Sequence, residues 1–287
     1  MNQHTQIRKT YKLYIDGKFP RTESGRYIKW SRSKASNVVN ICRGSRKDFR
    51  NAVVSARNAF PSWASRTAFN RSQILYRIGE MLEGRRSQFM EELILQGATE
   101  TEAEKEINLS VDRLIYYAGW ADKFIQIFSH VNPTASSYFN FSYPEPTGVV
   151  SVIAPDKPSL LGLVSVIAPI ITGGNTAVVL SSESHPLCSI SFAEVLHTSD
   201  VPPGVMNILT GYRSELIDHF STHMDVNAVV YGGSDPEEMK RVREHAALNV
   251  KRPVIYENIN WEEEKNQSPY HILHTVETKT TWHPVGV

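Results

Sequence analysis

Few side chains in this sequence could do covalent or acid–base chemistry, and they are scattered. Cys42 in "VNICRG" and Cys188 in "SHPLCSISF" are its two thiols. A cysteine attacks as the thiolate, which needs a partly open, electropositive setting. Cys188 starts an apolar helix and Cys42 lies in an early strand or loop, so both are expected to be packed and inert. "APDKPSL" places Asp156 and Lys157 in the turn before an apolar helix. The aspartate suits a helix cap and the lysine suits solvent, although an ammonium could also hold an oxyanion. His219 and His223 in "IDHFSTHMD" are spaced i, i+4 and could share a helix face as metal ligands. Phe220 stands where a metalloprotease motif has its glutamate, so no metal site is expected. "GGSDPEE" opens a helix at Gly232–Ser234 whose free amides could meet an anion. Asp235, Glu237 and Glu238 crowd that first turn and compete for the same amides. The sequence has no Walker-type loop and no G-x-S-x-G.

The elements that must carry these residues fall into two rhythms. "YKLYIDGKF" alternates around Asp16-Gly17, which predicts an N-terminal β-hairpin. Helices follow. Asp48 can cap one with Val53, Ala56 and Phe60 at helical spacing. The next stretch has Ile74, Ile78, Met81 and Leu82 on one stripe, and Phe89, Leu93 and Gln96 on another. A third long helix turns Ile107, Val111, Leu114 and Ala118 inward. From Gly148 the pattern becomes strand–helix: "GVVSVIAP", "NTAVVLS", "GVMNILTG", "VNAVVYGG" and "RPVIYE", with helices at about 159–172, 186–198, 212–222 and 235–248. Short Val/Ile strands joined by helices predict a parallel sheet covered on both faces. This is the α/β class, a doubly wound, Rossmann-like sheet of the kind that binds nucleotides at the carboxyl edge of its strands. "HVNPTASSYFNFSYPEPTG" and "NQSPYHILHTVETKTTWHPVGV" lie outside this rhythm. Both alternate, so they are expected to pair with each other and to leave a strand edge open to another subunit. His271, His274 and His283 fall on the second stretch and are expected at the surface.

A chain of 287 residues holds one large domain or two modest ones. With a net charge of +1 and both signs interleaved, nothing points to nucleic acid or to an anionic membrane. Two cysteines cannot make a disulfide framework, and a reducing, cytoplasmic setting is expected. The N-terminus has no apolar core of signal-peptide length. The longest apolar run, Leu160 to Ile171, falls short of the ~20 residues a membrane span needs and reads as a buried helix.

In order, "LYIDGKF", "AFPSWASRTAFNRSQILYRIGEMLEGR", "YYAGWADK", "EPTGVVSVIAP", "IAPIITGGNTAVVLSSE", "DVPPGVMNILTG", "VNAVVYGGSDPEE" and "TVETKTTW" resemble the aldehyde dehydrogenase superfamily. That family couples a nicotinamide-binding domain to a catalytic domain, and an arm from each of two subunits pairs across a dimer. The resemblance implies that residues 1–130 and 148–258 form the nucleotide-binding domain with its N-terminal helices. It makes 131–147 and 268–287 the β oligomerisation arm. Family members carry a whole catalytic domain where this chain has only "NINWEEEKNQ".

By the same resemblance, the family's nucleophilic cysteine lies in the domain that is missing here, and neither Cys42 nor Cys188 matches it. Lys157 stands at the position of the asparagine that donates to the developing alkoxide. Tyr256 stands at the position of the general-base glutamate. Glu257 is one residue further along, and so on the opposite face of its strand. Leu180 replaces the lysine that binds ribose hydroxyls, while Glu183 matches the acidic residue three positions later. Gly233 and Ser234 match the pyrophosphate turn. These positions imply a catalytically inactive protein with no required cofactor, although NAD or NADP is possible. It would act as a structural or regulatory subunit, paired through its arm with itself or with a full-length aldehyde dehydrogenase. The alternative is an NAD(P)-dependent oxidoreductase acting on aldehydes, alone or completed by a partner's catalytic domain.

Overall fold

The computed structural model describes residues 9–32 and 38–286. The chain opens with three short strands, β1 (Thr10–Tyr11), β2 (Tyr27–Trp30) and β3 (Val39–Cys42). Five helices follow: α1 (Arg46–Ala64), α2 (Ala68–Gly84), α3 (Arg86–Gln96), α4 (Glu100–Trp120) and α5 (Phe124–Phe128). Next come β4 (His130–Asn132) and β5 (Tyr138–Pro146), then the alternating part: β6 (Val149–Ile153), α6 (Ser159–Thr172), β7 (Thr176–Leu180) and α7 (Leu187–His197). It continues through β8 (Met206–Leu209), α8 (Arg213–Thr222), β9 (Ala228–Tyr231), α9 (Pro236–Ala247) and β10 (Arg252–Ile255). A 3-10 turn at Glu264–Asn266, α10 (Tyr270–Leu273) and β11 (Val276–Pro284) end the chain.

The central sheet has the order β10-β9-β6-β7-β8, and every neighbouring pair is parallel. Alternate residues of its strands enter two cores, because successive side chains of a strand point to opposite faces. Val150, Val152, Ala177, Val179 and Val230 pack on the face covered by α6 and α7. Val149, Ile153, Val178, Leu180 and Tyr231 pack on the face covered by α1, α8 and α9. The helices α2 and α4 form a further layer outside α6. Covered on two sides, α6 is buried along its whole length, which explains its unbroken apolar run.

Two local expectations change. Asp16 and Gly17 both have positive φ, at 55° and 67°, and Ile15 and Lys18 exchange 3.0 Å backbone bonds, so the tight turn is there. Its arms continue as a hairpin for one more backbone bond, from the Leu13 N–H to the Pro20 carbonyl at 3.1 Å, and then part. Tyr14 instead exchanges backbone bonds with Ile208 of β8, and β1 pairs with β3. Asp48 does not cap α1: Ser45 does, and Asp48 at the third helical position returns the bond to the Ser45 N–H at 2.9 Å.

The two outlying extended stretches pair with each other. β5 lies between β4 and β11 in an antiparallel sheet, in register from Val276 opposite Pro146 to Pro284 opposite Tyr138. α10, just before β11, packs on α6 through the buried Ile272 and roots this small sheet on the main body. The polar link "NINWEEEKNQ" is also held. The buried Arg113 of α4 donates to the Trp261 and Asn266 carbonyls, the Gln267 side chain and the Ser165 hydroxyl, at 2.9 to 3.2 Å.

Candidate functional site

β6, β7, β9 and β10 all deliver their carboxyl ends to one edge, at Ala154–Lys157, Ser181–Ser184, Gly232–Ser234 and Tyr256–Asn258. The chain leaves β6 for β7 on one side and later returns to β9 on the other. The crevice above this reversal is where open α/β sheets hold ligands. Two clefts lie there. One of about 560 Å³ is walled by Trp30, Asp156, Glu183, Tyr212, Arg213 and Glu238. The other, about 310 Å³, is bounded by Lys157, Gly233, Ser234, Tyr256 and Trp261.

Arg213, the first residue of α8, lies across the end of β6. It is only 8% exposed; one guanidinium nitrogen sits 2.8 Å from the Asp156 carboxylate and the other donates to the Ala154 carbonyl at 2.6 Å. Glu238 is 3.8 Å away. Burial raises the Asp156 carboxyl, but the Arg213 charge and donors from Ser182, Ser184 and Glu183 outweigh it, and the net shift is downward. Asp156 is therefore committed to Arg213 and the β7 loop and does not cap α6. That role falls to Glu106 of α4, which accepts from the Leu160 and Leu161 N–H groups at 2.6 and 3.2 Å. Glu183 in turn accepts from the Arg213 N–H at 2.7 Å, at the start of α8.

The "GGS" turn is tight. A Cβ on Gly232 would meet Pro155 at 2.7 Å, and one on Gly233 would collide with the Tyr231 hydroxyl. That hydroxyl donates to Glu238 at 2.7 Å and accepts from the Asp235 N–H at 3.3 Å. Asp235 caps α9, taking the Glu237 and Glu238 N–H groups at 2.8 and 3.1 Å. Of the three acids expected to compete for the first-turn amides, Asp235 alone accepts them, and the Gly233 and Ser234 N–H groups take no partner among the described residues. These two donors and the Ser234 hydroxyl fit a phosphate group. Leu180 does not fit a ribose diol: it is fully buried in the core beneath α1 and α8 and has no donor. The larger cleft sets four carboxylates (Asp156, Glu183, Asp235, Glu238) against two cations (Lys29, Arg213), an unfavourable field for a pyrophosphate.

Tyr256 is buried, and its hydroxyl lies 3.1 Å from the His274 ring nitrogen. Burial pushes that hydroxyl well above its usual range. Glu257 turns out to solvent on the other side. His271 and His274, expected at the surface, are instead half-buried in an aromatic cluster with Tyr256 and Trp261. Burial, with His274 beside it, lowers the His271 imidazole to about 4. His283 is exposed. Both cysteines are sealed at 0% exposure. Burial raises the Cys42 thiol, and burial with Glu92 and Glu106 nearby raises Cys188 further. His219 and His223 are both partly buried, and among the described residues no three His, Cys, Asp or Glu side chains gather around a possible metal.

Sequence reasoning missed Arg213, Glu106 and Arg113. Each acts across elements distant in the chain, and no local pattern marks them.

A family model described as "Aldehyde dehydrogenase family" matches residues 20–257. The chain is 30% identical over 266 residues to "Aldehyde dehydrogenase, cytosolic 1" of Elephantulus edwardii, covering 88% of this chain and 50% of that protein. It is 30% identical over 247 residues to "D-glyceraldehyde dehydrogenase (NADP(+))" of Thermoplasma acidophilum, covering 85% and 49%. Among solved structures, the NAD+ complex of aldehyde dehydrogenase from Bacillus cereus superposes with a TM-score of 0.81 at 26% identity, over 86% of this chain and 50% of that one. The chain spans about half the length of the relatives it matches.

Proposed function

The chain belongs to the aldehyde dehydrogenase family, and we propose that it serves as a catalytically silent structural or regulatory subunit. The observation that carries this reading is the state of its thiols. Both are sealed in the core with their pKa values raised, so neither is a nucleophile at neutral pH. Lys157 and Tyr256, at the positions of the family's amide donor and base, offer neither an amide nor a carboxylate. Glu183, Gly233 and Ser234 are what remains of the cofactor contacts, and the subunit requires no cofactor. Its partner is a second copy or a full-length aldehyde dehydrogenase, met through the β4–β5–β11 sheet. The free edge of β11 and the exposed side chains of Val131, Phe139 and Trp282 support that role. Nucleic acid and membrane are not its partners: the net charge is +1, and among the described residues no helix is long and apolar enough to cross a bilayer. Its unpaired thiols support a cytoplasmic location.

The test is incubation with NAD or NADP and a panel of aldehydes, following reduced cofactor by absorbance. No turnover is expected; turnover abolished by Cys188→Ala overturns the reading. The second reading, an NAD(P)-linked oxidoreductase completed by a partner's catalytic domain, is favoured by the open donors at Gly233 and Ser234. Calorimetric NAD binding tighter than ~100 μM, about −5.5 kcal/mol, would support it over the silent subunit.

A further inference from the structure

We propose that His271 and His274 form an acid-released latch, which holds residues 258–274 on the main body while both rings are neutral and frees them when the rings take protons. The latch is a property of this chain's own fold and does not rest on the subunit role above. Two parts of the molecule hang on it. α10 roots the β4–β5–β11 sheet on α6 through Ile272, and the two histidines lie in that helix and at its end. The link before α10 walls the cleft of about 310 Å³ at the sheet edge with Asn258, Ile259 and Trp261, so its release uncovers the Gly233 and Ser234 N–H groups.

The packing suits neutral rings only. The His271 ring centre lies 5.1 Å from that of Tyr256, 5.3 Å from that of His274 and 6.4 Å from that of Trp261. Its Nε2–H donates to the Asn266 carbonyl at 3.2 Å, since a carbonyl can only accept. The nitrogen left to take a proton is Nδ1, which is buried and has no partner among the described residues. A proton added there makes a buried cationic donor with nothing to receive it, a costly group to leave unpaired. His274 keeps its 3.1 Å bond to the Tyr256 hydroxyl in either charge state, so burial and neighbouring charge alone oppose its proton.

The charges around the pair have the wrong sign to offset a proton. Arg113 of α4 donates to the same Asn266 carbonyl at 3.2 Å, and Arg252 of β10 donates to the Val276 carbonyl, two residues on from His274. α4 otherwise brings the phenols of Tyr116 and Tyr117, the latter bonded to the Ser268 carbonyl, and α6 has no titratable side chain. Neighbouring carboxylates are paired elsewhere, Glu262 with Lys105, Glu263 with Lys265 and Glu277 with Lys279, while Glu257 and Glu264 are exposed. Burial first, then the His274 and Arg113 charges, lower the His271 imidazole to about 4, and burial with Arg252 lowers His274 as well. A released ring returns to 6.5, so release takes up protons. The hold is complete above 6.5 and is lost as pH falls toward about 4.

Amide exchange of the intact chain is followed by mass spectrometry at about pH 7.5 and about pH 5, each rate being divided by its intrinsic value at that pH. His271 alone should raise the opening of residues 258–274 about 30-fold at the lower pH, the ratio set by 6.5 and about 4, while β6, β7 and β9 keep their protection. His271→Gln with His274→Asn, which keep polar nitrogens near Nε2 and Nδ1 but do not titrate, should remove that pH dependence. Should the double variant fail to fold, the parent protein answers by itself: the imidazole NMR signals of His271 should titrate well below 6.5. Equal protection over 258–274 at the two pH values overturns the proposal. So does a loss spread evenly over the central sheet, a pH dependence that survives in the double variant, or a His271 midpoint near 6.5.

Discussion

Asp156 and Arg213 meet 2.8 Å apart at the mouth of the sheet, and the pair has a pH signature. The folded carboxyl is depressed, so its contribution is present above the ordinary carboxylate range and is lost as pH falls through the folded value. Asp156→Asn should destabilise the protein by about 1 kcal/mol near neutral pH, well below the 3–5 of a fully buried pair, because this carboxylate is 39% exposed and screened. Urea unfolding at several pH values checks it: the gap between mutant and parent should close in acid, and a constant gap would show that charge is not the cause. The sequence marks Asp156 as the cap of α6, but it accepts the Glu183 and Ser184 N–H groups instead. Its partner Arg213 has no local signature. An arginine after "TGY" reads as one more solvated charge until folding sets α8 against the end of β6.

At the scale of elements, periodicity marks out most of the molecule. The helix expected at 159–172 is Ser159–Thr172, and each of the five expected strands contains one of β6 to β10. These segments are legible because each repeats a short-range pattern, continuous Val/Ile or a stripe every three to four residues. Caps supplied from a distance are not legible: Glu106 on α6 belongs to another helix. The tie that holds the 258–267 link is equally hidden, since Arg113 looks like an ordinary polar position of α4. Arg113→Met should leave two carbonyls, an amide oxygen and a hydroxyl without their donor and cost about 2–4 kcal/mol. Hydrogen exchange should then speed up across residues 258–268 before the central sheet responds. Unchanged protection there would mean that Trp261 packing, not Arg113, holds the link.

For the whole molecule, the decisive feature is a small three-stranded sheet standing beside a nucleotide-type sheet, with one long strand edge unpaired among the described residues. Val131, Phe139, Phe141 and Tyr143 share a face with Lys279 and Thr281 across the register. Native mass spectrometry of the intact chain should show an oligomer. Val131→Lys with Phe139→Lys, both on exposed positions that spare the core, should give a monomer; an unchanged mass would place the contact elsewhere. The alternating patterns at 138–146 and 276–284 already imply two strands, because a side-chain period of two is a property of the backbone itself. By itself, then, the sequence determined which segments are strands and helices and the class of sheet. The packed thiols were already expected; only the tertiary structure decided that Arg213 lies among acids at the sheet mouth and that Tyr256 meets His274. Those facts are distances between elements far apart in the chain, set by how the layers pack, and no local repeat encodes them.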